Sequence, residues 1–143
     1  MTDSVPTACE LLENPVLHHV AFVVADLDAA VQRYAQLGFQ GGERHVVPEQ
    51  SVEAIALPTG NAWVELIRPT DPAGPIARFL AKRGEGVHHV AFAVADLDAE
   101  LARLEAAGVR LIDRTPRSGL HGWRMAFIHP ESGGGVLIEL VQV

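Results

Sequence analysis

Leu17-His18-His19-Val20-Ala21-Phe22-Val23-Val24-Ala25-Asp26-Leu27-Asp28-Ala29 returns as Val87-His88-His89-Val90-Ala91-Phe92-Ala93-Val94-Ala95-Asp96-Leu97-Asp98-Ala99, 70 residues on (87 − 17). Only the first and seventh positions differ, and identity at 11 of 13 places is more than shared propensity produces. Each copy runs on through a helically spaced segment to a glycine and an apolar residue, Gly38-Phe39 and Gly108-Val109, at the same offset. The chain is therefore two copies of one supersecondary unit.

Residues 17–24 are too few for a helix, and their Val and Phe content predicts a strand. Alternation places His19, Ala21 and Val23 on one face and His18, Val20, Phe22 and Val24 on the other, against the helix that follows. Asp26 is a natural N-cap for that helix, Leu27, Ala30, Val31, Tyr34 and Leu37 recur at its spacing, and Gly38 falls at its C-terminal end. Extended segments are expected over 39–47, 51–57 and 62–67, with a break at Pro48 and a turn at 58–61. The first module (16–68) thus reads β-α-β-β-β, after an irregular lead-in over 1–15. Residues 69–86 form a Pro-rich linker with a short helix, 76–83. The second module (87–143) repeats the plan, with strands at 87–94, from 109, at 123–128 and at 136–141, and a helix at 97–107. Matching Glu65 to Glu139 needs an offset of 74 (139 − 65), so the second copy carries four extra residues in its loops. The expected fold is α+β: two tandem βαβββ modules curling into a cupped barrel in one domain, with helices outside and small residues, Ala21 and Ala91, on the cleft side.

A chain of 143 residues, 48% of them hydrophobic, can bury a real core, whereas a 70-residue half alone would be marginal. A net charge of −7 argues against nucleic acid or an anionic membrane surface as a partner. Ten of the eleven basic residues are Arg, which leaves room for a local anion pocket. One cysteine, Cys9, fits a reducing compartment, and no secretion signal or membrane span is expected, so the cytoplasm is the expected location.

His19 and His89 are equivalent in the repeat, and so are Glu65 and Glu139, each carboxylate set in the middle of an apolar final strand. An ionised carboxylate on a half-buried strand is costly unless it is paired or bound to metal. Two imidazoles and two carboxylates suit a borderline divalent cation and balance its charge. His18 and His88 are the alternative imidazoles; alternation favours His19 and His89.

The paired strand–helix openings and the final strands Val64-Glu65-Leu66-Ile67 and Ile138-Glu139-Leu140-Val141 resemble the vicinal oxygen chelate superfamily. Pro48-Glu49-Gln50, Pro75-Ile76-Ala77-Arg78-Phe79-Leu80, Lys82-Arg83-Gly84-Glu85-Gly86 and the stretch from His129-Pro130-Glu131 to Glu139-Leu140 resemble its methylmalonyl-CoA epimerases. The resemblance implies His19, Glu65, His89 and Glu139 as ligands of a divalent ion such as cobalt, manganese, nickel or zinc. It implies Glu49 and Glu139 as acid/base groups inverting C2 of a methylmalonyl thioester through an enolate. It also implies His121, Gly122 and Arg124 beside an acyl-CoA substrate, and a homodimer. Ser51 and Trp123 depart from the family pattern, which has Gly and Lys there. Other outcomes for this fold are a glyoxalase I-like isomerase, lactoylglutathione lyase or another metal-dependent isomerase, and a ligand-binding protein without chemistry.

Overall fold

The computed structural model describes residues 14–119 and 122–142. The chain divides into two compact units, one covering His19–His88 and the other joining the chain before His19 to the chain after His88.

The first module contains β1 (Val16–Val23), α1 (Leu27–Gln36), β2 (Arg44–Val47), a single 3-10 turn (Pro48–Gln50), β3 (Val52–Pro58) and β4 (Trp63–Pro69), followed by α2 (Pro75–Arg83). Its strands run in the order β2-β3-β4-β1, with β1 parallel to β4 and the remaining pairs antiparallel. The second contains β5 (Gly86–Ala93), α3 (Leu97–Ala106), β6 (Arg117–Ser118), β7 (Arg124–Ile128) and β8 (Ile138–Gln142), ordered β5-β8-β7-β6 with β5 parallel to β8. The paired βαβββ architecture is present, in an α+β fold.

The repeat explains itself at the helix ends. Asp26 and Asp96 each accept a hydrogen bond from the backbone three residues on, at Ala29 and Ala99, both 3.1 Å. At the other end Gly38 and Gly108 take positive φ, 101° and 83°. Gly38 N–H then donates to Ala35 O and Phe39 N–H to Tyr34 O; Gly108 and Val109 do the same to Glu105 and Leu104. This two-bond closure needs an αL residue followed by an apolar one that folds back on the helix. Phe39 meets Tyr34 ring to ring at 5.8 Å, and Val109 joins Leu104 in the second core. The recurring glycine–apolar pair is the signature of that closure.

Each module has its own apolar layer beneath its helix. In the first, Val24, Leu27, Ala30, Ile55, Leu57 and Leu66 are buried, with Phe22 and Tyr34 packed on them. The second copies it with Val94, Leu97, Leu101, Ala126, Ile128 and Leu140. The expected helix-facing role of Phe22 and Val24 holds, whereas His18 packs on the Trp123 ring at 4.5 Å and His88 on Phe79 of α2 at 5.0 Å.

Two expected strands depart furthest from the sequence pattern, while those expected at 123–128 and 136–141 begin one and two residues later. The extended segment at 39–47 pairs only over Arg44–Val47, because Gly41 turns the chain at φ 90°. Gly42 then lies so close to β3 that a Cβ would sit 2.5 Å from Ala56 O. In the second module no strand begins at Val109; one bridge, Leu111 to Ile128, stands there, and the edge strand is β6 instead.

The extra residues do not disturb the parallel ladders. Ala21 faces Glu65, and Ala91 faces Glu139. Across the hairpins, Glu65 is opposite Ala56 and Glu139 opposite Phe127. These pairs are 9 and 12 residues apart (65 − 56; 139 − 127), so three of the four extra residues lie in the β7–β8 connection.

Candidate metal and acid/base site

In each module a buried histidine meets a buried glutamate on the adjacent parallel strand. In the first, His19 on β1 and Glu65 on β4 are 2% and 6% exposed, and Nε2 lies 3.6 Å from the Glu65 carboxylate. In the second, His89 on β5 and Glu139 on β8 are 3% and 6% exposed, and the separation is 2.7 Å. The equivalence read from the repeat is therefore realised in space within each module.

The parallel register brings these pairs about. His19 and Ala21 share a β1 face, Ala21 is the neighbour of Glu65, and alanine there leaves the imidazole and carboxylate space to meet. His89, Ala91 and Glu139 repeat this. Flanking residues are apolar and buried: Leu66 and Ile67 beside Glu65, Leu140 and Val141 beside Glu139. Donor atoms that share one ion at about 2.0–2.2 Å lie roughly 2.8–3.6 Å apart, from right-angled to tetrahedral coordination. The two His–Glu separations, 3.6 and 2.7 Å, bracket that spacing. Buried carboxylates on apolar strands, each matched with an imidazole nitrogen, fit a divalent cation by donor type and by charge. The two modules differ around their carboxylates. Ala56 is small beside Glu65, whereas Phe127 stands beside Glu139 and meets His89 edge-on at 5.3 Å.

Glu49 is exposed on the 3-10 turn between β2 and β3. Ser51 closes that turn in the left-handed region, φ 54°, ψ 46°, and its carbonyl accepts from Thr70 N–H at 2.9 Å. The conformation suits glycine better than serine. Gly122 is exposed with φ 71°, and His121 lies outside the described residues. Arg124 does not share the Glu139 face. Phe127 is the direct partner of Glu139, so alternation puts Arg124, with Ala126 and Ile128, on the helix side, where it pairs with Asp98 at 3.0 Å.

Three site-supporting contacts were invisible in the sequence because they join distant segments. The Glu85 carboxylate accepts from Ala25 N–H at 3.0 Å, tying the α2–β5 connection to the end of β1. Gln142 accepts from Leu97 N–H at 2.8 Å at the start of α3. Asp113 accepts from Phe127 N–H at 2.8 Å, beside the second pair.

The fold and these paired donors define the class: the chain belongs to the glyoxalase/bleomycin resistance protein/dioxygenase superfamily, whose family model matches residues 18–127. Within it, the chain is similar to the ethylmalonyl-CoA/methylmalonyl-CoA epimerase of Cereibacter sphaeroides, 38% identical over 130 residues that span 89% of this chain and 97% of that protein. The crystal structure of methylmalonyl-CoA epimerase from Mycobacterium tuberculosis matches with a TM-score of 0.84 at 42% identity, over 89% of this chain and 87% of that one. A methylmalonyl-CoA epimerase in complex with methylmalonyl-CoA and NH4+ matches with a TM-score of 0.85 at 38% identity, over 90% of this chain and 94% of that one.

Proposed function

We propose that this chain is an isomerase that inverts C2 of methylmalonyl-CoA, or of a close 2-carboxyacyl thioester. The observation that carries the reading is the repeated buried His–Glu pair, 3.6 Å in one module and 2.7 Å in the other, in a chain similar to named epimerases over nine-tenths of its length.

His19, Glu65, His89 and Glu139 would together hold one divalent ion, cobalt, manganese, nickel or zinc. Bound there, it supplies positive charge to the thioester and carboxylate oxygens that take up electron density. The chain's own groups move the proton. Inversion without redox requires the C2 proton to leave one face and a proton to return to the other. Glu49 takes the proton, the C–H electron pair passes into the enolate, and Glu139, entering the step as the carboxylic acid with a proton drawn from solvent, returns that proton to the opposite face and is left as the carboxylate. The reading of Glu49 as the base is supported by its exposure on a turn that the Thr70–Ser51 hydrogen bond holds to the end of β4. Gly122, next to the β7 end, and His121 remain assigned to the substrate side. Arg124 is assigned instead to the α3 surface through Asp98. Acyl-CoA is the small-molecule partner, and a cytoplasmic homodimer is the expected setting. Among the described residues no helix is long and apolar enough to cross a membrane.

The test is proton exchange. The protein, loaded with cobalt or manganese, is given (2R)-methylmalonyl-CoA in D2O; the C2 proton is followed by NMR and the product by chiral analysis. Metal-dependent exchange with inversion is expected. Glu49→Gln should reduce it by about 100-fold or more, the scale of a lost general base. Metal uptake without exchange would move the substrate elsewhere, a hemithioacetal being the next candidate. Failure to take up metal would remove the enzyme reading.

A further inference from the structure

Phe127 carries a cation onto the same sheet face as Glu139. Arg117 on β6 is the direct partner of Met125, and Phe127 on the same strand is the direct partner of Glu139. Alternation therefore sets Arg117, Met125, Phe127 and Glu139 on one face. The Arg117 guanidinium carbon lies 5.2 Å from the centre of the Phe127 ring, which itself meets His89 edge-on at 5.3 Å. A guanidinium, a phenyl ring and the His89–Glu139 pair thus follow one another across a single module.

The position is fixed rather than incidental. Asp113 accepts from Phe127 N–H at 2.8 Å and meets the Arg117 Nη2 at 3.3 Å. Phe127 O in turn accepts from Ile112 and Asp113 N–H, at 3.0 and 3.2 Å. The segment leading into β6 is therefore clamped to Phe127 through both its N–H and its carbonyl. A guanidinium has five N–H donors in a planar fork. Asp113 is met at one nitrogen while also serving a backbone N–H, and the Arg117 side chain keeps 42% of its surface exposed. Such a stacked, half-exposed fork suits a planar carboxylate better than a spherical charge.

We propose that Arg117 binds the free carboxylate of the acyl group and so selects 2-carboxyacyl thioesters over plain acyl thioesters. This rests on the thioester reading above and gives it a specificity residue. The 3′- and pyrophosphate groups of coenzyme A are the competing anions. Arg117 sits on the face of the His89–Glu139 pair, so the reacting end of the substrate is the favoured occupant.

The test compares two thioesters that differ only in that carboxylate and do not turn over by epimerisation: malonyl-CoA and acetyl-CoA. Calorimetric titration into the manganese-loaded full chain should show a preference for malonyl-CoA. Arg117→Gln should weaken malonyl-CoA by roughly 10- to 100-fold, the scale of a charge-assisted hydrogen bond, and leave acetyl-CoA within about two-fold. Arg117→Lys, a point charge without the fork, should recover only part of the loss. Equal losses for both ligands would assign Arg117 to the coenzyme phosphates or to folding, and no loss would leave it a loop residue; either overturns the proposal. A wild-type protein that binds both alike overturns carboxylate selection alone. One that binds neither overturns the thioester reading, and this proposal with it. Thermal unfolding of each variant checks that the fold is kept.

Discussion

Replacing Glu139 with Gln changes one atom's identity and almost no volume, so it separates metal binding from packing. Glu139 is 6% exposed, and its carboxylate lies 2.7 Å from His89 Nε2. Glutamine keeps a partner for that nitrogen but removes a negative charge from an apolar strand. Without metal, removal of the buried charge offsets the weakened pairing, and the unfolding temperature should stay near that of the wild type. With metal the two proteins should part. At a metal concentration about 100 times the wild-type Kd, binding stabilises the folded state by about 2.7 kcal/mol. If the lost carboxylate weakens binding by about 100-fold, the same metal concentration leaves only about 0.4 kcal/mol. At roughly 2–4 °C per kcal/mol for a chain of this size, the wild type should rise by about 5–11 °C and Glu139→Gln by about 1–2 °C. Differential scanning calorimetry with manganese, then with excess chelator, measures both. A variant that keeps the full metal-induced rise would refute Glu139 as a ligand, and a metal-free variant far less stable than the wild type would refute the charge argument.

Ser51→Gly relieves a left-handed residue at φ 54° and should stabilise the protein by about 1 kcal/mol in denaturant unfolding; no change in midpoint would show that serine meets no strain there. Gly42→Ala would drive a Cβ to 2.5 Å from Ala56 O and should destabilise by about 1–3 kcal/mol, read in the same assay. An unchanged midpoint would mean the 39–43 segment shifts away from β3 without cost.

What was legible in the sequence was what the repeat doubles or what acts over a few residues. Asp26 and Asp96 cap helices through bonds three residues long, and Gly38-Phe39 closes a helix locally, so each could be read directly. His19 with Glu65, and His89 with Glu139, are far apart in sequence, but their equivalence in the two copies made the pairing inferable. The carboxylate register survived an insertion because Ala21 and Ala91 fix it from β1 and β5. Segments the repeat does not hold fared worse. The strand expected from Val109 is displaced to Arg117–Ser118, since Ile112 and Asp113 spend their N–H groups on Phe127 O. The resemblance implies Arg124 beside the substrate, and only the β7–β8 register shows it on the sheet face opposite Glu139. Arg117 carried no signal of its own, because its stack on Phe127 is set by a hairpin that sequence period does not reveal.

The placement of the extra residues divides labour within the second module. Position along the parallel ladder sets where Glu139 stands, while the 129–137 connection sets only how far the chain travels before reaching it. Length can then vary on the hairpin side without dragging the carboxylate out of line. The 59–62 turn of the first module is the corresponding place where chain could be added or a reporter peptide grafted. In a duplicated protein, that is how two halves can diverge in their borders while their inner geometry stays matched.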